Sequence, residues 1–206
     1  MVDPGDRLAA LFGLRLKGFA EADAVAALTG VPVERCRSEL SAGEADGLVL
    51  HRAGRMSGWM LTPAGRAEVA KLLAGELDAS GARVSVERSY ERFLEVNGAF
   101  LALCTDWQMK DEQTLNDHAD PAYDGAVIAR LGSLDDQVQP ICADLGDALR
   151  RFGGYGRRLT NARQEIDQGQ TDWFTKPMID SYHTVWFELH EDLLATLSIE
   201  RSQEAG

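Results

Sequence analysis

At 206 residues and 45% hydrophobic content, the chain has material for one large core or two modest ones, and two domains is the better fit. No apolar run approaches the ~18 residues of a membrane span, and the opening MVDPGDR enters an amphipathic segment without a signal-peptide apolar stretch, so a soluble, cytoplasmic protein without a membrane partner is expected. The net charge of -12 speaks against nucleic acid until it is divided: residues 1–78 hold nine Lys+Arg against eleven Asp+Glu, and residues 79–206 hold twelve against twenty-two. The acidity lies in the second part, and the first is free to carry a local basic face.

Asp6 to Phe19 carries Leu8, Phe12, Leu16 and Phe19 at spacings of four, four and three, one stripe of a helix. Glu21 to Thr29 predicts a short second helix with Val25 and Leu28 inward, closed by Gly30. Pro32 suits the first turn of a third helix, 32–46, whose Val33, Cys36 and Leu40 point inward and whose Glu34, Arg35, Arg37, Ser38 and Ser41 point outward. Gly47 ends it. Leu48 to Arg52 and Gly58 to Leu61 read as strands around a hairpin tip at Ala53–Met56, and Thr62 and Pro63 start a fourth helix as N-cap and first helical residue.

This order, carried by GVPVERCRSEL, DGLV and GWMLTPAGR, resembles the winged helix-turn-helix family of bacterial regulators, especially the MarR-like and PadR-like groups, over about the first third of the chain. The resemblance implies a DNA-binding unit of three to four helices plus a β-hairpin wing at residues 1–79. In it, Arg35, Arg37, Ser38 and Ser41 on helix 32–46 would face bases and phosphates in the major groove. Arg52 and Arg55, on the wing 52–58, would meet phosphates or the minor groove. The chain departs from the pattern at Gly43, where such helices place a core leucine, at a cost of roughly 1 kcal/mol relative to alanine.

Ala79 to Ala82 breaks the helical pattern, and residues 80–201 predict an all-α bundle. Arg83 to Met109 carries the seam Val86, Tyr90, Phe93, Asn97, Phe100, Cys104 and Trp107, widened by Leu94 and Leu101, and is the natural contact for a homodimer. Lys110 to Asp124 is a polar loop. The region from Leu131 to Phe152 must be kinked or split near Gln139 by Pro140. Tyr155 to Gln168 and Met178 to about Arg201 are further helices, and 202–206 a disordered tail. The fold class expected is therefore mainly α, a winged helix followed by a helical bundle.

The chemistry of this second part is open. Asn97, Trp107, Tyr182, His183 and Trp186 bring aromatic and polar groups to two helices that could face one another, either as an aromatic core or as a pocket for a small-molecule effector. His183 and His190 are seven residues apart, about 10 Å along a helix, too far to share one ion even with Asp117, His118 or Asp120 in reach, so no metal and no cofactor are expected. The three cysteines, Cys36, Cys104 and Cys142, lack zinc or disulfide spacing and fit buried thiols, with redox sensing as the other reading. Nucleophile elbows and phosphate loops after a strand are lacking, so an enzyme is not expected; Gly153-Gly154-Tyr155-Gly156 reads as a helix break. The leading expectation is a transcriptional regulator that binds double-stranded DNA as a homodimer on a palindromic operator. The alternatives are an adaptor whose winged helix docks on a protein, and an enzyme using His183 and Asp180.

Overall fold

The computed structural model describes residues 4–200, so the tail expected at 202–206 and the helix end expected at Arg201 lie outside the described residues. The fold is mainly helical, with one small antiparallel sheet. Among the described residues, no helix is long and apolar enough to cross a membrane. Two compact units divide the chain: Met1–Arg83 together with Glu191–Gly206, and Val84–His190.

The first unit opens with α1 (Pro4–Lys17), α2 (Ala22–Thr29) and α3 (Val33–Ala45). Leu8, Leu11 and Phe12 of α1, Val25 of α2, and Cys36 and Leu40 of α3 form one core, joined by Val49, Leu61 and Val69 further along the chain. Ala195 belongs to the same core, which is why the C-terminal segment from Glu191 counts with this unit rather than with a bundle running 80–201. Strands β1 (Val49–Arg52) and β2 (Gly58–Leu61) pair antiparallel from Val49 opposite Leu61 to Arg52 opposite Gly58. The other edge of β2 is bridged by Ala20, through Trp59 N–H to Ala20 O at 2.8 Å and Ala20 N–H to Trp59 O at 3.1 Å.

Gly43 lies inside an unbroken α3. A Cβ there would come within 2.9 Å of Val49 Cγ2, so the residue the sequence marks as a weak point is the place where β1 packs down on the helix.

Helix α4 (Pro63–Ser80) starts as its sequence predicts: Thr62 Oγ1 accepts from Gly65 N–H at 3.0 Å, and Pro63 takes a position whose N–H would have no helical partner. Thr62 also reaches back. Its N–H donates to Leu48 O at 2.9 Å, and its hydroxyl donates to Gly47 O at 2.9 Å or Leu48 O at 3.1 Å. A Cβ at Gly65 would lie 2.0 Å from Leu48 O, so only glycine lets α4 begin this close to the turn ahead of β1.

The second unit begins with α5 (Arg83–Gln108), running from Val84 on in this unit; its expected seam is buried, with Asn97 half-buried. Leu94 and Leu101 do not widen the core: they are 38% and 54% exposed, because they lie on the helix flank that the neighbouring elements leave open. Helix α6 (Pro121–Ala148) corrects three expectations. It starts before Asp124, since Asp120 caps it by accepting from Ala122 and Tyr123 N–H at 3.0 and 3.2 Å, with Pro121 next. It is not split at Pro140, whose ring is exposed while Val138, Ile141 and Cys142 are buried on either side and hold the turn by packing. It stops at Ala148, and Phe152 is buried from a separate 3-10 turn, Arg150–Gly154.

After α7 (Tyr155–Asp167) and the short α8 (Asp172–Thr175), α9 spans Tyr182–Leu197 instead of 178–201. Its start is delayed because Met178 takes φ 70° and Asp180 is bound to Arg158, and Ser181 Oγ then caps the helix from Thr184 N–H at 3.3 Å. Ser198, at φ 57°, closes it.

Candidate nucleic-acid interface

The side chains that α3 presents follow from what fastens it. Gly30 at φ 72° ends α2 and turns the chain in three residues into α3. Cys36 and Leu40, both fully buried, fix the inner face. Two ion pairs then tie α3 and its C-cap to α1: Arg35 Nε donates to Asp6 Oδ2 at 2.9 Å, and Arg7 Nη2 donates to Asp46 Oδ2 at 2.7 Å.

Arg35 therefore does not point outward as its spacing predicts. It is half-buried between Asp6 and Glu39, with Glu39 Oε1 at 3.6 Å and itself buried. Two carboxylates draw it in: Glu39 follows by four residues on the same helix, and Asp6 faces it from α1. Asp6, Arg7, Glu39 and Asp46 carry no signal in a single-sequence periodicity, and sequence reasoning missed all four as positioning groups.

Arg37 is exposed and pairs with Glu34 Oε1 at 3.0 Å, a surface contact of the kind that contributes at most about 1 kcal/mol and is readily exchanged for a phosphate. Ser38 and Ser41 are exposed on the same helix.

The Arg52 and Arg55 side chains are exposed and, among the described residues, form no hydrogen bond or ion pair. The arm that carries them is anchored at its base. His51 lies over Trp59 with ring centroids 4.4 Å apart, and Gly58 leaves room for the Phe19 ring, whose Cζ would be 2.7 Å from a Cβ. The arrangement thus offers an oriented helix face with one exchangeable cation and two hydroxyls, and a hairpin end with two unpartnered cations. Such groups bind anionic oxygens and base edges.

The second unit turns its polar groups inward. Trp186 Nε1 donates to Asn97 Oδ1 at 2.9 Å, and Phe100 stacks on Trp186 at 4.2 Å and lies 5.7 Å from Tyr182 and 6.2 Å from His183. The Tyr182 hydroxyl donates to Asp135 Oδ1 at 2.9 Å; burial above all, then the Asp135 carboxylate, pushes its pKa up. Burial holds the His183 imidazole below its usual value. Trp107 is apart from this group, sandwiched between His118 at 4.5 Å and Phe174 at 4.6 Å. Four of the five residues expected for an effector site are therefore together, and one is not. The α5 seam is buried, and its Phe93 and Phe100 pack on Trp186 of the same unit.

The groups weighed for a metal are engaged elsewhere. His190 lies 5.2 Å from the Phe93 ring, His118 Nδ1 is 3.0 Å from Asp124 Oδ2, Asp117 accepts from Lys110 Nζ at 2.8 Å, and Asp120 caps α6. Asp180 binds Arg158, whose guanidinium also meets the buried Glu188. Burial works against the Arg158 charge, but the two carboxylates outweigh it and hold the proton more tightly.

Neither a protein-family model, nor a curated protein, nor a solved structure matches the chain.

Proposed function

We propose that the chain is a DNA-binding transcriptional regulator whose first unit is a winged helix-turn-helix: α3 reads the major groove through Arg37, Ser38 and Ser41, and the hairpin contacts the backbone and minor groove through Arg52 and Arg55. The observation that carries the reading is the pair of unpartnered arginines on a braced hairpin, on the same unit as an exposed helix face with exchangeable polar groups. Arg35 is a positioning residue in this reading, holding α3 on α1. A homodimer in the cytoplasm, reading a palindromic site, completes the proposal, and the exposed Leu94 and Leu101 of α5 offer its contact better than the buried seam. Small-molecule sensing would fall to the second unit, where Asn97 Oδ1 already accepts from Trp186 and the Tyr182 hydroxyl donates to Asp135.

Fluorescence anisotropy with an operator-length duplex at two salt concentrations tests the reading. Binding should weaken steeply with salt, Arg52→Ala and Arg55→Ala should each reduce the log–log slope by about 1, and Arg37→Ala should cost about 1–3 kcal/mol and relax base preference. Affinity that ignores both salt and these substitutions would rule it out.

One alternative has its own support: an adaptor that docks on a protein. Glu34 already pairs with Arg37, and Val33 and Leu50 are 37% and 53% exposed. A co-purifying protein, released by Leu50→Glu, would favour it.

A further inference from the structure

The hairpin tip carries an apolar side chain where phosphate contact alone has no use for one. Met56 is 77% exposed, follows Arg55 directly, and precedes the return into β2 at Gly58. Gly54 takes φ 143°, a backbone region that L side chains rarely adopt, so the turn that projects Arg55 and Met56 depends on glycine. Behind the tip, the tilted His51–Trp59 ring contact, the Phe19 ring against Gly58 and the Ala20 bridge to β2 anchor the base of the arm. An unbranched, polarisable side chain thus stands at the end of a braced arm beside two cations.

Resting on the DNA-binding reading above, we infer that Met56 enters the minor groove as an apolar wedge at a base step, with Arg52 and Arg55 on the flanking phosphates. The groove, about 6 Å wide, is too narrow for a helix but admits a hairpin tip. Methionine is among the side chains able to slip between base pairs, unstacking a step and kinking the duplex. Burial between bases also removes from water a side chain that otherwise stays exposed. Unstacking costs least at flexible pyrimidine–purine steps and most in stiff A-tracts. The wedge therefore gives sequence preference to a residue that makes no hydrogen bond, in favour of TA-type steps beneath the tip.

The test uses the full chain and two duplexes of about 30 base pairs with the same base composition, one of alternating TA repeats and one an A-tract, each with 2-aminopurine in place of some adenines. The alternating duplex presents a TA step at every second base step, so a one-base-pair slide brings one beneath the tip. The expected result is tighter binding to it, with a rise in 2-aminopurine fluorescence as bases unstack. Met56→Ala should then bind it about tenfold more weakly, keep the salt slope of the parent, and give no fluorescence rise; Met56→Leu should restore both. Because the side chain is exposed, neither change disturbs the core. If Met56→Ala matches the parent in affinity and fluorescence, or the parent binds without any fluorescence rise, the wedge is wrong and the DNA reading stands. If the parent binds neither duplex at low salt, both fall.

Discussion

The two units differ in how deeply they bury an arginine. In the first, Arg37, Arg52 and Arg55 face solvent and Arg35 is partly covered; in the second, Arg158 is 8% exposed, bound to Asp180 at 2.9 Å and to the buried Glu188. Exposed arginines contribute little to stability and much to recognition, whereas a buried arginine commits its donors to the fold. The difference lets substitutions be chosen that cost stability in one unit and little in the other.

The largest effect is expected where the first unit is tightest. Gly65→Ala places a methyl 2.0 Å from Leu48 O, and a backbone carbonyl fastened by Thr62 has little room to move. A loss of about 4 kcal/mol is expected in urea unfolding followed by tryptophan fluorescence. A loss under about 1 kcal/mol would show that α4 can shift and that the clamp on the turn is loose.

Next come matched edits in the two units. Arg158→Met keeps the aliphatic stem but removes the guanidinium that meets the buried Glu188, for a loss of about 3 kcal/mol. Adding Glu188→Gln should return part of it. Arg35→Met should cost only about 1 kcal/mol, because Arg35 and Asp6 side chains are 30% and 29% exposed and can take water. Equal losses at the two sites would erase the contrast.

These positions also mark what one sequence can tell. The hairpin, the α5 seam and the Thr62–Pro63 start of α4 were legible because each is a local signal: strand alternation, a three-four spacing, a cap followed by proline. Asp120–Pro121 is the same cap signal and starts α6, but it is hidden in a loop whose residues show no period. Pro140 read as a break because the rule for helix interiors is local, and the buried Val138, Ile141 and Cys142 that override it are tertiary. Among the candidate site residues, Arg37, Ser38, Ser41, Arg52 and Arg55 are exposed as expected, while the turning of Arg35 toward Asp6 needed a contact across 29 residues that no spacing reveals.

A smaller effect is expected from His183. Burial lowers its pKa below the usual value of about 6.5, so the native imidazole resists protonation that the unfolded chain accepts. Its contribution is complete above about pH 6.5 and is lost as pH falls from there toward the native value. His183→Gln should therefore lose less stability than the parent between about pH 7 and about pH 5. Coincident profiles would mean that the ring is better hydrated than its place beside Phe100 implies.

The smallest expected signal compares one residue type in both units. Burial pushes the Cys104 and Cys142 thiols up to about 12, and it raises Cys36 as well, though there the Thr29 hydroxyl works in the opposite direction. A thiol reagent attacks the thiolate, so at about pH 8 none of the three should react in the native protein and all should react in denaturant. At intermediate urea, mass mapping should find Cys36 labelled first, since its sulfur contacts are long, 4.0 Å to Thr29 Oγ1 and 3.8 Å to Val31 O. Fast native labelling of any thiol would revive a redox role. Labelling of Cys104 or Cys142 ahead of Cys36 would make the second unit the one that opens first, and the inward pairing of its polar groups would then be no measure of its rigidity.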